Sequence, residues 1–181
     1  MKSKIPFTFA VTRVVLIAVA VFVPAAALFS GASPSPKAAP RSGTHDRHCV
    51  PVGGMLMTNF GAIDAATTMG TATGDLRGAV SGTLLGAPQP GAGGTLVFHV
   101  QHHWVTESGD TLTFDPAVAT TIPVQNSQTL FAIVTYPVHI TGGTGKFAGA
   151  IGNLQNIGEV DLAAQATVFR YSGQVCFADQ D

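Results

Sequence analysis

Beyond Cys49, glycine or proline interrupts nearly every window of the chain before an amphipathic helical period can build. The 181 residues include 21 glycines and 11 prolines. That punctuation leaves short β-rich runs, bounded by turn signals, as the regular structure the sequence supports. The runs are Met55 to Phe60, Ile63 to Met69, Asp75 to Leu85, Thr95 to Thr106, Thr111 to Phe114, Thr129 to Ile140, Glu159 to Tyr171 and Gln174 to Phe177. Ser108-Gly109-Asp110 reads as the hairpin turn between the fourth and fifth of them. About eight strands is a natural size for a small closed barrel. The expected fold is therefore all-β, an eight-stranded antiparallel β-barrel over residues 49–181.

The run Leu130-Phe131-Ala132-Ile133-Val134 does not alternate, so both of its faces are expected to be buried. In a barrel one face fills the lumen, and the other needs a covering loop or a second subunit. This is a first pointer to a homo-oligomer. Elsewhere alternation separates two faces: Phe98, Val100, His102 and Trp104 fall on one, and His99, Gln101 and His103 on the other. The first set is apolar apart from His102 and is expected to line the lumen and meet any ligand. The second is expected to meet solvent.

The amino-terminal stretch is set apart from the fold. Lys2, Lys4 and Arg13 precede the apolar run Val14 to Leu28, and Ala25-Ala26-Ala27 supplies small residues for cleavage. This is the layout of a secretory signal peptide, assigned to residues 1–32. The apolar run is shorter than the roughly 20 residues of a membrane span. If uncleaved it is the one expected membrane attachment. Residues 33–48 are rich in Pro, Ala and Ser and read as a disordered linker. Without the leader, six Lys+Arg face ten Asp+Glu and no basic cluster survives. Phosphate contacts need such a cluster, which argues against nucleic-acid binding. Cys49 and Cys176 lie at the two edges of the expected domain, and in an oxidising compartment such a pair is expected to form a disulfide. The expected location is secreted or periplasmic.

The block Ile140-Thr141-Gly142-Gly143-Thr144-Gly145-Lys146-Phe147-Ala148-Gly149-Ala150-Ile151-Gly152 resembles the signature of the allene oxide cyclase and dirigent superfamily, in its exported bacterial branch. Gly70 to Gly78, Ser108 to Leu112 and Tyr171-Ser172-Gly173 add to the likeness, which spans roughly Met55 to Phe177. The resemblance implies an eight-stranded barrel with an apolar central cavity and assembly as dimers or trimers. It also implies either cyclisation of a reactive small molecule or the steering of radical coupling. The glycine turn Gly142, Gly143 and Gly145 is structural: it permits a sharp reversal, after which Phe147 and Ile151 can point inward.

The same block fits G-x-G-x-x-A, but Gly149, Gly152 and Gly158 fall where a dinucleotide site needs a helix. Phe147 stands where a P-loop needs Ser or Thr. No cofactor is expected. No metal is expected either, since His102 and His103 point to opposite faces, and His99 and His103 lie about 13 Å apart along a strand. A metal would need cross-strand help such as His139. Candidate catalytic groups are His102 in the lumen, Glu107 at a barrel mouth and Arg170 beside Tyr171. The alternative for His102 is a core histidine satisfied by a backbone carbonyl. Three functions remain open at this level: a barrel that binds a small apolar molecule, a cyclase or isomerase acting on one, and a non-catalytic structural or sequestering barrel.

Overall fold

The computed structural model describes residues 47–61 and 63–178. The expected leader, and the expected linker up to residue 46, lie outside the described residues. Eleven strands follow in order: β1 (His48–Phe60), β2 (Thr67–Ala72), β3 (Gly78–Leu84), β4 (Gln89–Pro90), β5 (Leu96–Thr106), β6 (Thr111–Phe114), β7 (Ala117–Pro123), β8 (Leu130–Thr135), β9 (Pro137–Gly143), β10 (Ile151–Asp161) and β11 (Ala166–Phe177).

These strands make eight staves. β6 and β7 both pair with β5, one beyond the other, and together form one stave. β8 and β9 both pair with β10 and form another. The two-residue β4 is an annex on β5. Every pairing is antiparallel, and β11 pairs with both β1 and β10, which closes the sheet into a barrel. The β1–β11 seam runs from His48↔Phe177 to Asn59↔Ala166. Cys49 and Cys176 sit opposite each other in that register and are joined by a disulfide. The bond is consistent with an oxidising compartment.

The strands differ in places from the runs read in the sequence. Ala117–Pro123 is a strand that the runs omit. Thr129 to Ile140 divides at Tyr136 into β8 and β9. Glu159 to Tyr171 contains a reversal at Leu162 to Gln165, where Gln165 adopts φ 53°. Gly158 lets β11 approach, since a Cβ there would lie 2.0 Å from the Val168 carbonyl oxygen. The glycine turn is a short 3-10 segment, Gly145–Phe147, with Gly145 at φ 55° beside the Asp110 carboxylate. Phe147 points inward as expected, but Ile151 does not. It is exposed on the outer wall, and the fully buried Ala150 takes the inner position. The strand resumes one residue out of phase with the expectation, because Ala150 closes the turn by donating to the Phe147 carbonyl.

The barrel is packed unequally along its axis. At one end Trp104, Leu112, Phe147, Leu154, Tyr171 and Val175 fill the lumen. The β2–β3 connection folds over this end, and Leu76 plugs it, only 3% exposed. Three hydrogen bonds hold the plug: Trp104 Nε1 donates to the Leu76 carbonyl at 2.7 Å, the Leu76 amide to Tyr171 Oη at 2.9 Å, and Tyr171 Oη to the Thr73 carbonyl at 2.8 Å. Towards the other end several inward residues are small, among them Thr58, Thr68, Gly82, Ala119 and Thr167, and the lumen stays open. The barrel is a cup with a sealed base.

Candidate functional site

The open half of the lumen is a cavity of about 70 Å³. It lies where strand alternation brings small residues from several staves to one level: Gly82 of β3 faces His102 of β5 in register, and Ala119 lies on the stave beyond. Phe60, Leu84, Phe98 and Val160 line it towards the mouth, and Trp104, Tyr136 and Phe169 line its depth. Its hydroxyls are largely spent on one another. Thr58 Oγ1 and Thr167 Oγ1 lie 2.7 Å apart, and Thr68 Oγ1 donates to the Gly82 carbonyl at 3.2 Å. The wall is therefore effectively apolar.

The exceptions are the exposed His103, which also borders the cavity, and His102. The His102 Nε2 is 2.8 Å from Tyr136 Oη. Its Nδ1 is buried and has no hydrogen-bond partner among the described residues. The ring is packed by Phe114 and Tyr136, with centroids 5.7 Å and 5.6 Å away. Phe169 in turn stands edge-on to Tyr136 at 5.8 Å. Burial pushes the imidazole pKa down to about 4 and the Tyr136 phenol well above its ordinary value. At neutral pH both are uncharged, and their shared bond runs in whichever direction the imidazole tautomer sets. In one tautomer Nδ1 carries a proton, and in the other a lone pair. A second buried atom without a partner, Asn156 Oδ1, also adjoins Tyr136: the Asn156 Nδ2 donates to the Tyr136 carbonyl at 3.3 Å.

Phe98, Val100, His102 and Trp104 all face the lumen, whereas His99 and His103 are exposed. His139 is exposed and hydrogen-bonded to Asn153, away from the cavity. Glu107 and Arg170 are not brought to it. Glu107 lies at the sealed end, where its carboxylate meets Arg77 at 2.8 Å with both side chains about two-thirds exposed. Arg170 faces outward opposite Met55 and Ile157, because alternation from the buried Tyr171 turns it to solvent. The partner of His102 is instead Tyr136, which the sequence reading missed. The signal was present: a lone tyrosine inside the most apolar run needs somewhere to place its hydroxyl.

The buried imidazole has a consequence for stability. In the unfolded chain His102 takes up a proton near pH 6.5, whereas the folded protein resists protonation until about pH 4. Between those values the folded state binds fewer protons, so stability is complete above about pH 6.5 and falls as the pH drops towards 4. The gap corresponds to about 3 kcal/mol. Urea unfolding at pH 7.0 and pH 4.5 checks this: the loss on acidification should shrink markedly in His102→Leu, and an equal loss in both proteins would refute it.

The sequence matches no family model and no curated protein. Among solved structures, a pterocarpan synthase dirigent protein is similar at 17% identity with a TM-score of 0.34, over 83% of this chain and 99% of that one. The barrel assignment rests on the strand pairing itself, which gives the eight closed staves that the family resemblance implies.

Proposed function

We propose that the protein is an exported, non-catalytic cup that binds a small, neutral, mostly apolar molecule and meets its one polar atom with His102. The observation that carries this reading is the buried, unpartnered Nδ1 of His102, a side chain that lines a largely apolar cavity. A buried polar atom without a partner costs roughly 1–3 kcal/mol, which a ligand hydroxyl or carbonyl would recover. Among the described residues no carboxylate, lysine or arginine lines the cavity, and the buried His102 imidazole is held neutral, so an anion finds no counter-charge beside it. At about 70 Å³ the space is well below that of sites for drug-sized ligands, roughly 300–1,000 Å³. The occupant is therefore very small, or is the polar end of a longer molecule whose tail leaves through the mouth.

Binding is favoured over a cyclase or isomerase role because the converging polar pair, His102 and Tyr136, is held neutral and bonded to itself, and Glu107 and Arg170 lie elsewhere. Export is supported by the leader layout and the disulfide. Assembly with further copies is supported by the outer wall, where Met55, Met57, Met69, Ile157 and Val168 are exposed on the four neighbouring strands β2, β1, β11 and β10.

The test uses 1-hexanol, which pairs a neutral hydroxyl with an apolar tail, and hexanoate as its charged counterpart. Hexanol is expected to shift the His102 ring nitrogen resonances saturably, and hexanoate is not. Ala119→Leu, which fills the cavity, should abolish the shift while leaving the barrel folded. Absence of any saturable response of His102 to hexanol would overturn the reading. Native mass spectrometry of protein taken from its own culture medium then counts the copies and shows any retained molecule.

A further inference from the structure

The two ends of the barrel differ in charge as much as in packing. Arg47, Asp75, Arg77, Glu107, Asp110 and Lys146 belong to the sealed end, where the β2–β3, β5–β6 and β9–β10 connections meet the chain termini of the barrel. The open end is formed by residues 61, 63–66, 85–95, 124–129 and 162–165, which contain no lysine or arginine and a single acid, Asp64. That acid is exposed and closes its own loop: its carboxylate accepts from the Ala66 amide at 2.8 Å, which holds its pKa below the ordinary value. Asp161, just below the rim, likewise accepts from the Ala163 and Ala164 amides.

This rim, whose connections hold one ionised acid and no base, carries large apolar side chains at its tips. Ile63 is 66% exposed, the highest value of any large apolar residue described, Leu85 is 53% exposed and Leu162 is 39% exposed. They sit on three connections that adjoin around the mouth. The Phe60 amide donates to the Gln165 carbonyl at 2.8 Å, and the Leu84 amide to the Ala66 carbonyl at 2.9 Å. Directly inside them Phe60, Leu84 and Leu96 continue the apolar surface to the cavity wall.

From an apolar rim without basic residues, continuous with an apolar cavity, we propose that the open end docks on an electrically neutral lipid surface, so that the cup exchanges its ligand with the acyl layer. The inference rests on the binding reading above. A second copy is the poorer occupant. Three side chains on separate loops fall far short of the roughly 800 Å² per partner of a standard protein interface, and two rims face to face would seal both cavities. An anionic surface is also the poorer fit, because the rim offers no basic residue to attract it. Three loop-tip side chains give the reversible attachment expected of something near one acyl chain, which lets the cup leave again.

The experiment is hydrogen–deuterium exchange on the full chain with and without phosphatidylcholine vesicles, read peptide by peptide so that attachment through any other segment is not counted. Exchange is expected to slow at 63–66, 85–88 and 162–165 and to stay unchanged at 73–77 and 144–150. The triple variant Ile63→Ser, Leu85→Ser, Leu162→Ser should lose that protection and bind vesicles about tenfold more weakly, while hexanol still shifts the His102 resonances. Rim exchange unaffected by vesicles overturns the proposal, as does rim protection that rises with protein concentration alone. Hexanol binding with an unprotected rim would leave the cup and remove the docking. A protected rim with no hexanol response would do the reverse.

Discussion

Replacing Cys49 and Cys176 together by serine is expected to lower stability by about 4–5 kcal/mol, because the bond closes almost the whole barrel sequence into one loop in the unfolded chain. The separation of 127 residues sets that figure through the loop-closure entropy, which is near its practical maximum here. Little is expected to change in the folded state. The bond joins residues already opposite each other in the β1–β11 register, and that seam holds twelve residue pairs without it. The double variant should therefore keep its β circular dichroism and lose only its resistance to urea. Adding reductant to the unaltered protein should move its midpoint to that of the variant, and should not move the variant. A midpoint that the substitutions leave in place would refute the argument, since a native stability of about 5–15 kcal/mol cannot hide such a loss.

The second large effect is expected at Trp104. Truncation to alanine should cost about 3–5 kcal/mol for the cavity left behind. A further 1–3 kcal/mol follows because the Leu76 carbonyl loses the indole donor and stays buried. The indole also stands edge-on to Tyr171 at 5.4 Å, so its removal loosens the other clamp on the plug. Trp104→Phe separates the two contributions: it keeps most of the packing and loses the hydrogen bond, and is expected to fall by about 1–3 kcal/mol. Amide exchange at residues 73–77 should rise in both variants, and more in Trp104→Ala. If exchange in that segment does not change, the indole is not what holds the plug.

What could be read from the sequence follows the strength of each local signal. β5 was legible because large apolar residues alternate with polar ones through Phe98, Val100, His102 and Trp104, and the face that contains His102 followed directly. The cysteine pair was legible from its place at the two edges. β7 was missed because its inward residues, Ala117, Ala119 and Thr121, are small, and that same smallness opens the cavity. The β10–β11 reversal was missed because Leu162-Ala163-Ala164-Gln165 contains neither glycine nor proline. Ile151 was misplaced because the Gly145–Phe147 turn shifts the phase of the strand that follows. The His102–Tyr136 pair could not be derived at all from local pattern: 34 residues separate the partners, and their contact depends on which staves face each other across the lumen. Glu107 and Arg170 looked equally eligible in sequence, and only strand phase and position assign them to the exterior.

Closure at the β1–β11 seam also limits how other macromolecules can engage this protein. Neighbouring staves pair all the way round, so along the body of the barrel a foreign peptide has no ladder to extend. Recognition must go through side chains or loop tips, and templated growth into fibres would first require a stave to come away from its neighbours.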